Sequence, residues 1–313
     1  MLERLDRGLE GGLSPDVPLS RLSTYRIGGP VSAVFDPTGP HDVTAVTARC
    51  REESVPFLVV GLGSNVLFPD TGIDAVAVRM SKSNSAVTRL TATEWVVGAG
   101  LPTPLLARRT AGAGLGGMHR LIGVPGTVGG GVYMNAGAHG QEFSQTVKSV
   151  TVVDSTGEIR ELAGHEVPWT YRYSGLGDSI VVAATFEFAE ADPKQLRQDI
   201  ANHLRWRREG TPFDQPCCGS VFKNPADGPR DDSGRRFTAG RLIDSCDLKG
   251  YRVGAAEVSS KHANYIVNHG DATAANVLAV IEHVRECVLR EFDVSLELEV
   301  KVIGQDGKVR TDV

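Results

Sequence analysis

One stretch of the chain, residues 122–140, constrains the structure more than any other because its backbone is unusually bare. It reads IGVPGTVGGGVYMNAGAHG, with seven glycines and no Asp, Glu, Lys or Arg among its 19 residues. Apolar residues such as Val128 and Met134 lie between the glycines, so it is not a polar linker. Backbone without Cβ atoms can approach a ligand closely, and its amides can bind phosphate oxygens without a lysine. The stretch therefore predicts a ligand site formed by backbone.

A second glycine loop follows a short apolar run, in VVGLGSNVLF at residues 59–68. It is not G-x-G-x-x-G and no helix obviously follows, so a Rossmann loop is weakly supported. Together, however, the two uncharged loops suit a diphosphate held by backbone amides, with the apolar residues packed on an aromatic ring system. The pair predicts a dinucleotide cofactor, and a flavin fits better than a nicotinamide.

Length and charge exclude several classes of protein. A chain of 313 residues is expected to form two or more domains. Its net charge of −5, from 33 Lys and Arg against 38 Asp and Glu, argues against nucleic-acid binding. No apolar run approaches the roughly 20 residues that span a bilayer, and the N-terminus lacks the apolar core of a signal peptide. We expect a cytoplasmic protein that does not insert into a membrane.

The cysteines predict neither a disulfide framework nor a metal site. There is no C-x-x-C and no Cys/His pairing at zinc spacing. An odd, scattered set is typical of free thiols in a reducing compartment. The five positions are Cys50, Cys217, Cys218, Cys246 and Cys287.

Strands and helices mix without a regular βαβ rhythm, which predicts an α+β fold. Hydrophobic patterning predicts strands at 31–37, 56–60, 73–80, 94–100 and 179–188, a hairpin at 147–162 turning at Thr156–Gly157, and helices at 41–54 and 103–114. A further helix starts at Pro193 with Asp192 as its cap and ends in a basic cluster. The last elements are an amphipathic helix from about Asp271 and an alternating strand, LELEVKVIG, at 296–304.

Three polar segments remain, and each has an ordinary structural interpretation. WTYRYSG reads as a surface turn, CCGSVFKNP as a strand start followed by a turn, and LELEVKVIG as a strand with Glu297 and Glu299 facing solvent. There is no G-x-S-x-G, which argues against a serine hydrolase.

Seven stretches in this order resemble one family. They are STYRIGG, GLGSN, GVPGTVGGGVYMNAGAHG, YRYS, CGSVFKNP, AGRLIDSCDLKGYRVGAAEVSSKHANYIVN and LEVKVIG. The chain resembles the UDP-N-acetylenolpyruvoylglucosamine reductases, flavoenzymes of peptidoglycan precursor synthesis and hence of cell-wall biogenesis, cell shape and cell division. The resemblance runs from Leu19 to Gly304, and it is closest to the compact form that lacks a tyrosine-loop insertion.

The resemblance implies a fold and a domain order. We expect the FAD-binding fold of the vanillyl-alcohol oxidase type in residues 1–205, with two α/β subdomains at about 1–82 and 83–205. A C-terminal α+β substrate-binding domain is expected in residues 206–313, with Glu299 on its last strand.

The resemblance also implies a reaction. NADPH reduces non-covalent FAD and is replaced by UDP-N-acetylglucosamine-enolpyruvate, whose vinyl carbon receives hydride from the flavin N5. Arg172 matches the family's catalytic arginine and would hold the substrate carboxylate. Glu299 would stabilise the enol-like intermediate. Ser220 would donate the proton, activated by Lys223 or its neighbours. No metal is implied.

Further contacts are implied residue by residue. Those with FAD are Tyr25, Arg26, Gly61, Leu62, Gly63, Ser64, Asn65, Gly123, Val124, Pro125, Gly126, Thr127, Gly130, Asn135, Gly137 and Arg207. Those with substrate are Tyr171, Lys223, Asn224, His262 and Asn264, the last two being about equally suited to a structural role. Gly210 stands where the family often has lysine, so Arg207 or Arg208 would supply that charge. The loop at 226–236 receives no role.

Two alternatives stay open at this point. One is another flavin oxidoreductase of the same fold, with FAD tethered through His119 or His139. The other is a non-catalytic nucleotide-binding protein, which should have lost Arg172, Ser220 or Glu299; all three are present.

Overall fold

The computed structural model describes residues 5, 7–82 and 84–312. Within them the chain packs as two compact units, each assembled from separate stretches of sequence. The first comprises the described part of Met1–Val17 with Val31–Leu62 and Ala75–Arg207, and the second comprises Pro18–Pro30, Gly63–Asp74 and the described part of Arg208–Val313. The predicted domains, 1–205 and 206–313, stay a prediction. The units differ from them because two N-terminal stretches pack with the C-terminal third of the chain.

The chain mixes short strands with helices, as the α+β prediction requires. The helices are α1 (Pro40–Glu52), α2 (Thr103–Gly112), α3 (Val128–Tyr133), α4 (Pro193–Gly210), α5 (Ala239–Ser245) and α6 (Ala274–Phe292). The strands are β1 (Gly12–Pro18), β2 (Pro30–Asp36), β3 (Phe57–Val60), β4 (Val66–Leu67), β5 (Ile73–Arg79), β6 (Val87–Arg89), β7 (Glu94–Gly98), β8 (Leu115–Gly116), β9 (Gly137–Ala138), β10 (Gln141–Glu142), β11 (Val147–Val153), β12 (Ile159–Ala163), β13 (Ile180–Glu187), β14 (Ala189–Glu190), β15 (Arg252–Val253), β16 (Ala256–Val258), β17 (Ile266–Asn268) and β18 (Lys301–Val302). Among the described residues, none of these helices combines the length and the apolar character that crossing a membrane requires.

Two sheets form the framework of the first unit. One has the strand order β1-β2-β5-β3, with β3 parallel to β5. The other is antiparallel, with the order β12-β11-β13-β7-β6. The predicted hairpin joins β11 to β12, and the carboxylate of Asp154 shapes its turn by accepting from the amides of Thr156 (2.8 Å) and Glu158 (3.1 Å).

Aromatic side chains fill the core of the first unit. Phe186 stacks on Phe188 with ring centroids 5.7 Å apart, and Trp95 meets Phe188 edge-on at the same distance. Phe143 is fully buried and contacts Phe186. The glycine-rich stretch packs onto this core through α3.

Two glycines of α3 serve packing. A Cβ atom at Gly131 would overlap the ring of Phe143, and one at Gly129 would lie 2.8 Å from the Cβ of Ala99. Real side chains do not approach so closely, so the α3 backbone lies against its neighbours only because these residues are glycine. Part of the glycine excess in residues 122–140 therefore comes from the core.

Helix α4 confirms the predicted start at Pro193. Asp192 precedes it, and its carboxylate accepts from the amide of Lys194 at 2.9 Å. Leu196 and Ile200 are buried on the inner face of the helix.

The second unit is built around α6. Its buried face consists of Ala274, Val277, Val280, Ile281, Val284, Cys287 and Val288. It packs against the sheet β15-β16-β17 and against α5.

The start of α6 lies three residues beyond the predicted one. Thr273 caps it, with its hydroxyl accepting from the amide of Asn276 at 3.1 Å. Asp70, from a distant stretch of sequence, accepts from the amide of Ala274 at 2.8 Å. A pattern search near Asp271 cannot identify a cap supplied by a residue so far away.

The predicted continuous strand at 296–304 is wrong in its extent. Only Lys301–Val302 forms a strand, parallel to β4, whereas Leu298 makes an antiparallel bridge with Phe222. The segment changes partner and direction between these residues, so no single ladder runs through it.

We predict that Gly131→Ala lowers the free energy of unfolding by about 1–3 kcal/mol, because the added methyl group overpacks the contact with Phe143. Urea unfolding of the purified protein measures this. Gly112→Ala in α2 is the control, since a Cβ atom there meets nothing within 4 Å. That variant is expected to be neutral or stabilised by up to about 1 kcal/mol. Equal effects at the two positions would contradict the packing explanation.

Candidate active site

The two glycine loops meet within the first unit. A Cβ atom at Gly61 would lie 2.7 Å from the hydroxyl oxygen of Thr127. Thr127 caps α3, and its hydroxyl accepts from the amide of Gly130 at 3.4 Å. This agrees with the sequence argument that paired the loops, and it supplies the bare, uncharged backbone that a dinucleotide diphosphate needs.

The first amides of α3 are already used by the protein. The amide of Val128 donates to Leu101 (2.8 Å) and that of Gly129 donates to Ala99 (2.8 Å). The predicted contacts of Gly61, Leu62 and the Gly123–Thr127 segment, which includes Val124, Pro125 and Gly126, stay a prediction. Within that segment the amide of Val124 also donates to the protein, to Leu121 at 2.9 Å, and Pro125 has no N–H.

Arg207 lies across the glycine-rich segment. A Cβ atom at Gly123 would be 2.7 Å from its Cγ and 3.0 Å from its Nε. Arg208, in contrast, belongs to the second unit, where its carbonyl accepts from the ammonium group of Lys261 at 2.6 Å. Of the two arginines considered for the charge missing at Gly210, Arg207 is therefore the one beside the glycine backbone.

Arg172 occupies the third position of a tight turn. The turn is closed by two hydrogen bonds between Thr170 and Tyr173, of 2.9 and 3.2 Å. Arg172 has a φ of 59°, in the left-handed region. Its Nη2 donates to the carbonyl of Gly137 at 2.9 Å, and its guanidinium lies 4.8 Å from the ring centroid of Tyr171. The YRYS segment thus forms a turn, as its sequence predicted. In addition, the turn holds the guanidinium of Arg172 against the Gly137 carbonyl.

Ser220 and Glu299 lie on adjacent segments of the second unit. The carbonyl of Val221 accepts from the amides of Glu299 (2.8 Å) and Val300 (3.3 Å). Lys223 continues the pairing: its amide donates to the Glu297 carbonyl at 2.9 Å, and its ammonium lies 3.1 Å from the Glu297 carboxylate. Glu297 is exposed and Glu299 is half-buried, so the predicted solvent-facing default fails for Glu299.

The second half of the GLGSN loop lies against the serine segment. The amide of Thr24 donates to the carbonyl of Gly63 (3.0 Å), and its hydroxyl donates to that of Cys217 (2.7 Å). A Cβ atom at Gly219 would lie 3.8 Å from the carbonyl of Ser64. Asn65 donates from its side chain to the Glu299 carbonyl at 3.0 Å. Loop, serine and glutamate are therefore held as one group.

Asn264 and Asn224 use their amides on the protein itself. Asn264 accepts from the amide of Phe222 (3.0 Å) and donates to its carbonyl (2.9 Å). Asn224 accepts from the amide of Ala239 at the start of α5 (3.0 Å). His262 accepts from the amide of Asn264 (3.2 Å). Their predicted substrate contacts stay a prediction, and the geometry favours structural roles.

Tyr25 is fully buried in the core of the second unit, next to Cys218. Burial raises the pKa of its hydroxyl well above the ordinary value. Its carbonyl accepts from Asn268 (2.9 Å), whereas neighbouring Arg26 is exposed. The predicted FAD contacts of both residues stay a prediction.

Sequence reasoning missed Lys301. It is half-buried two residues beyond Glu299, and burial together with the neighbouring Lys223 lowers the pKa of its ammonium group, while Glu299 raises it. The alternation of LELEVKVIG placed Lys301 on a solvent-facing side, and no signal in the sequence indicated its burial.

The histidines considered as flavin tethers are packed against other side chains. His139 stacks on His203, with ring centroids 4.1 Å apart, and meets Trp206 edge-on at 5.0 Å. His119 lies 3.8 Å from the carboxylate of Asp199. Among the described residues there is no group of three or more His, Cys, Asp or Glu that could hold a metal ion. The cysteines are free thiols.

Comparison with known proteins identifies the family. The FAD binding domain family matches residues 31–163, and the C-terminal domain of UDP-N-acetylenolpyruvoylglucosamine reductase matches residues 211–303. The reductase of that name from Heliobacterium modesticaldum is 38% identical over 308 residues, covering 98% of this chain and 95% of the relative. The chain belongs to the UDP-N-acetylenolpyruvoylglucosamine reductase family.

Other relatives agree with this membership. A second reductase of this name, from Symbiobacterium thermophilum, is 39% identical over 291 residues, covering 92% of this chain and 91% of its own. The crystal structure of the family's enzyme from Thermus caldophilus superposes with a TM-score of 0.77 at 32% identity, over 93% of this chain and 99% of that one. The predicted family, the FAD-binding fold with a C-terminal domain, and an enzyme of the flavin-dependent oxidoreductase class are confirmed.

The histidine stack predicts a loss of stability in mild acid. Burial lowers the pKa of His139 to about 4, and the nearby His203, Arg207 and Arg120 act in the same direction. Because an unfolded histidine has a pKa of about 6.5, the unfolded chain binds the proton first as the pH falls. The free energy of unfolding should therefore be constant above pH 7 and fall between pH 6.5 and 4. Urea unfolding across this range should show a shallower fall for His139→Gln.

His41→Gln, at an exposed histidine in α1, is the control and should follow the parent. If His139→Gln has the same pH dependence as the parent, the buried stack is not the source of the acid sensitivity.

Proposed function

We propose that this protein reduces the enolpyruvyl group of UDP-N-acetylglucosamine-enolpyruvate to the lactyl ether, giving UDP-N-acetylmuramate for peptidoglycan synthesis in the cytoplasm. NADPH is the electron donor and FAD the resident cofactor. The observation that carries the proposal is the backbone pairing between the segment of Ser220 and the segment of Glu299, in which the amide of Glu299 donates to the Val221 carbonyl at 2.8 Å. This pairing supports a shared role for the two residues in the second half of the reaction.

The chain fits FAD. The loops at Gly61 and Gly123–Thr127 offer uncharged backbone that a diphosphate can approach closely, and Arg207, which packs against Gly123, adds a positive charge beside it. When bound, FAD carries hydride from NADPH to the methylene carbon of the substrate. The glycine loops would hold its diphosphate and exclude water from it.

Arg172 binds the carboxylate of the enolpyruvyl group. Hydride addition to the methylene carbon leaves negative charge on the adjacent carbon, shared with that carboxylate. A planar guanidinium can hold two carboxylate oxygens at once, and its interaction strengthens as the charge develops. A guanidinium has five N–H donors, and the hydrogen bond from Nη2 to the Gly137 carbonyl holds the group in place.

Ser220 donates the proton that completes the reaction, and Glu299 stabilises the protonated, enol-like species. A serine hydroxyl is a weak acid, so it works by position. The cations of Lys223 and the half-buried Lys301 would lower the cost of the negative charge left on the serine oxygen.

The first test concerns cofactor and substrate. The purified protein should be yellow, should release all its flavin as FAD on acid treatment, and should convert UDP-N-acetylglucosamine-enolpyruvate with NADPH, as product analysis would detect. Flavin that stays with the precipitate would instead indicate a covalent tether. Protein that does not take up FAD, or that leaves this substrate unchanged, would contradict the proposal.

The second test separates the two half-reactions. In Ser220→Ala, NADPH should bleach the flavin absorbance at the parent rate, because reduction of the flavin does not use the serine. Reoxidation by the enolpyruvyl substrate should slow by roughly 10²–10⁴-fold, the effect of a lost general acid. Stopped-flow absorbance of the pre-reduced variant measures this.

Ser220→Cys should retain part of the rate, since a thiol can also deliver a proton. Ser245→Ala, at an exposed serine ending α5, is the control and should match the parent in both half-reactions. Reoxidation of Ser220→Ala at the parent rate would remove Ser220 from the proton-donor role.

A further inference from the structure

The turn that carries Arg172 requires support from its surroundings. In a turn whose third residue has positive φ, glycine or asparagine is the usual occupant, because other side chains crowd the backbone there. Here an arginine adopts this conformation, with a φ of 59°. A strained residue of this kind persists only when surrounding contacts fix it. The supporting contacts are therefore part of what places the guanidinium.

Asn135 fixes the base of the turn. Its side chain is 1% exposed, and its Nδ2 donates to the carbonyl of Thr170 at 3.0 Å. That carbonyl also accepts the bond from Tyr173 that closes the turn. The same Nδ2 donates to Glu142 (3.0 Å), and the Oδ1 accepts from the amide of Ser144 (3.0 Å). Three hydrogen bonds of the Asn135 amide thus serve to hold the turn or to anchor Asn135 itself.

Gly137 fixes the other end of Arg172. Its carbonyl accepts from Nη2 of Arg172 at 2.9 Å. A Cβ atom at Gly137 would lie 2.8 Å from the carbonyl oxygen of Gln141 and 3.0 Å from Nη1 of Arg172, so a side chain there would crowd both the backbone and the guanidinium. Gly137 follows Asn135 by two residues. One short piece of backbone therefore holds both the base of the arginine's turn and its charged end.

The conformation of Asn135 suits this task. Its φ is 42°, in the left-handed region that asparagine tolerates better than most residues. This reversal sends the chain on to Gly137 while the side chain points to Thr170. A glutamine, aspartate or alanine would lack either the backbone tolerance or the donor at this distance.

We propose that Asn135 is the positioning residue of Arg172, rather than a contact for the cofactor. Together with the Gly137 carbonyl it keeps the guanidinium oriented to receive a carboxylate. The inference rests on the proposed function, because it concerns the arginine that binds the enolpyruvyl carboxylate. Without the Asn135 donor, the turn relaxes from its left-handed conformation and the guanidinium leaves the Gly137 carbonyl. The protein should still bind FAD and accept electrons from NADPH.

The test uses Asn135→Asp, which keeps the shape and the acceptor for Ser144 but removes the amide donor to both Thr170 and Glu142. The reactions are measured at a pH above the range in which the new carboxyl group and Glu142 share a proton. The FAD spectrum and the rate of reduction by NADPH should stay within twofold of the parent. Reoxidation by the enolpyruvyl substrate should slow by about 10²-fold, the effect of a small misplacement of a catalytic group. Ser149→Ala is the control: it removes a part-buried side-chain bond of the same unit, to Glu161 at 2.5 Å, and should react like the parent.

A double-mutant cycle with Arg172→Lys separates positioning from general damage. If Asn135 acts through Arg172, adding Asn135→Asp to Arg172→Lys should slow reoxidation no further. Equal slowing in both backgrounds would overturn the inference. If Arg172→Lys reacts like the parent, the role proposed for Arg172 fails, and the positioning role fails with it. Reoxidation of the reduced parent protein is measured first. If the enolpyruvyl substrate does not reoxidise it, the proposed function itself is contradicted.

Asn135→Gly is the second variant, because it tolerates the left-handed backbone and also lacks the donor. It should repeat the pattern of Asn135→Asp. If neither variant binds FAD, Asn135 contacts the cofactor or supports the fold as a whole, and the positioning role is overturned.

Discussion

The close approach of bare backbone to neighbouring side chains is the constraint on which the first unit depends. The packing of α3 on Phe143 and Ala99 fixes where the glycine-rich segment runs. Its position then determines what lies on either side: Arg207 across Gly123, and Arg172 on the Gly137 carbonyl. One segment thus packs on the core, is proposed to hold the cofactor and accepts the hydrogen bond of Arg172, which explains why its composition is so restricted.

In the second unit, asparagine side chains make many of the hydrogen bonds to backbone groups that longer strands would make. Asn264 bonds both polar groups of Phe222, Asn65 bonds the Glu299 carbonyl, and Asn268 bonds the Tyr25 carbonyl. An amide carries a donor and an acceptor at the spacing of a peptide group, so it can stand in for a neighbouring strand. Such side-chain bonds, together with a few backbone hydrogen bonds, fix the alignment of the Ser220 segment with the Glu299 segment.

Regular elements and the family could be predicted from the sequence, whereas the chemistry of the site stays a prediction. Helix α4 and the hairpin at Thr156–Gly157 follow local periodicity and local turn residues, which the sequence displays directly. The resemblance supplied the family and the identities of Arg172, Ser220 and Glu299. The sequence did not indicate contacts between remote segments: the Asp70 cap of α6, the interrupted strand after Leu296, the burial of Lys301, or the bond from Asn135 to Thr170. Each depends on where a distant backbone passes, and no local pattern records that.

The discontinuity of the two units has a consequence for synthesis on the ribosome. The chain passes from one unit to the other after Val17, Pro30, Leu62, Asp74 and Arg207. The stretches 18–30 and 63–74 therefore emerge early but cannot complete their own unit until the C-terminal third has been made, as the contact between Tyr25 and Asn268, 243 residues apart, illustrates. Folding of the second unit is consequently a late event dominated by long loop closures, which are slow. The apolar side chains of these two stretches, such as Tyr25 and Phe68, therefore lack their native neighbours in the second unit for most of the chain's elongation.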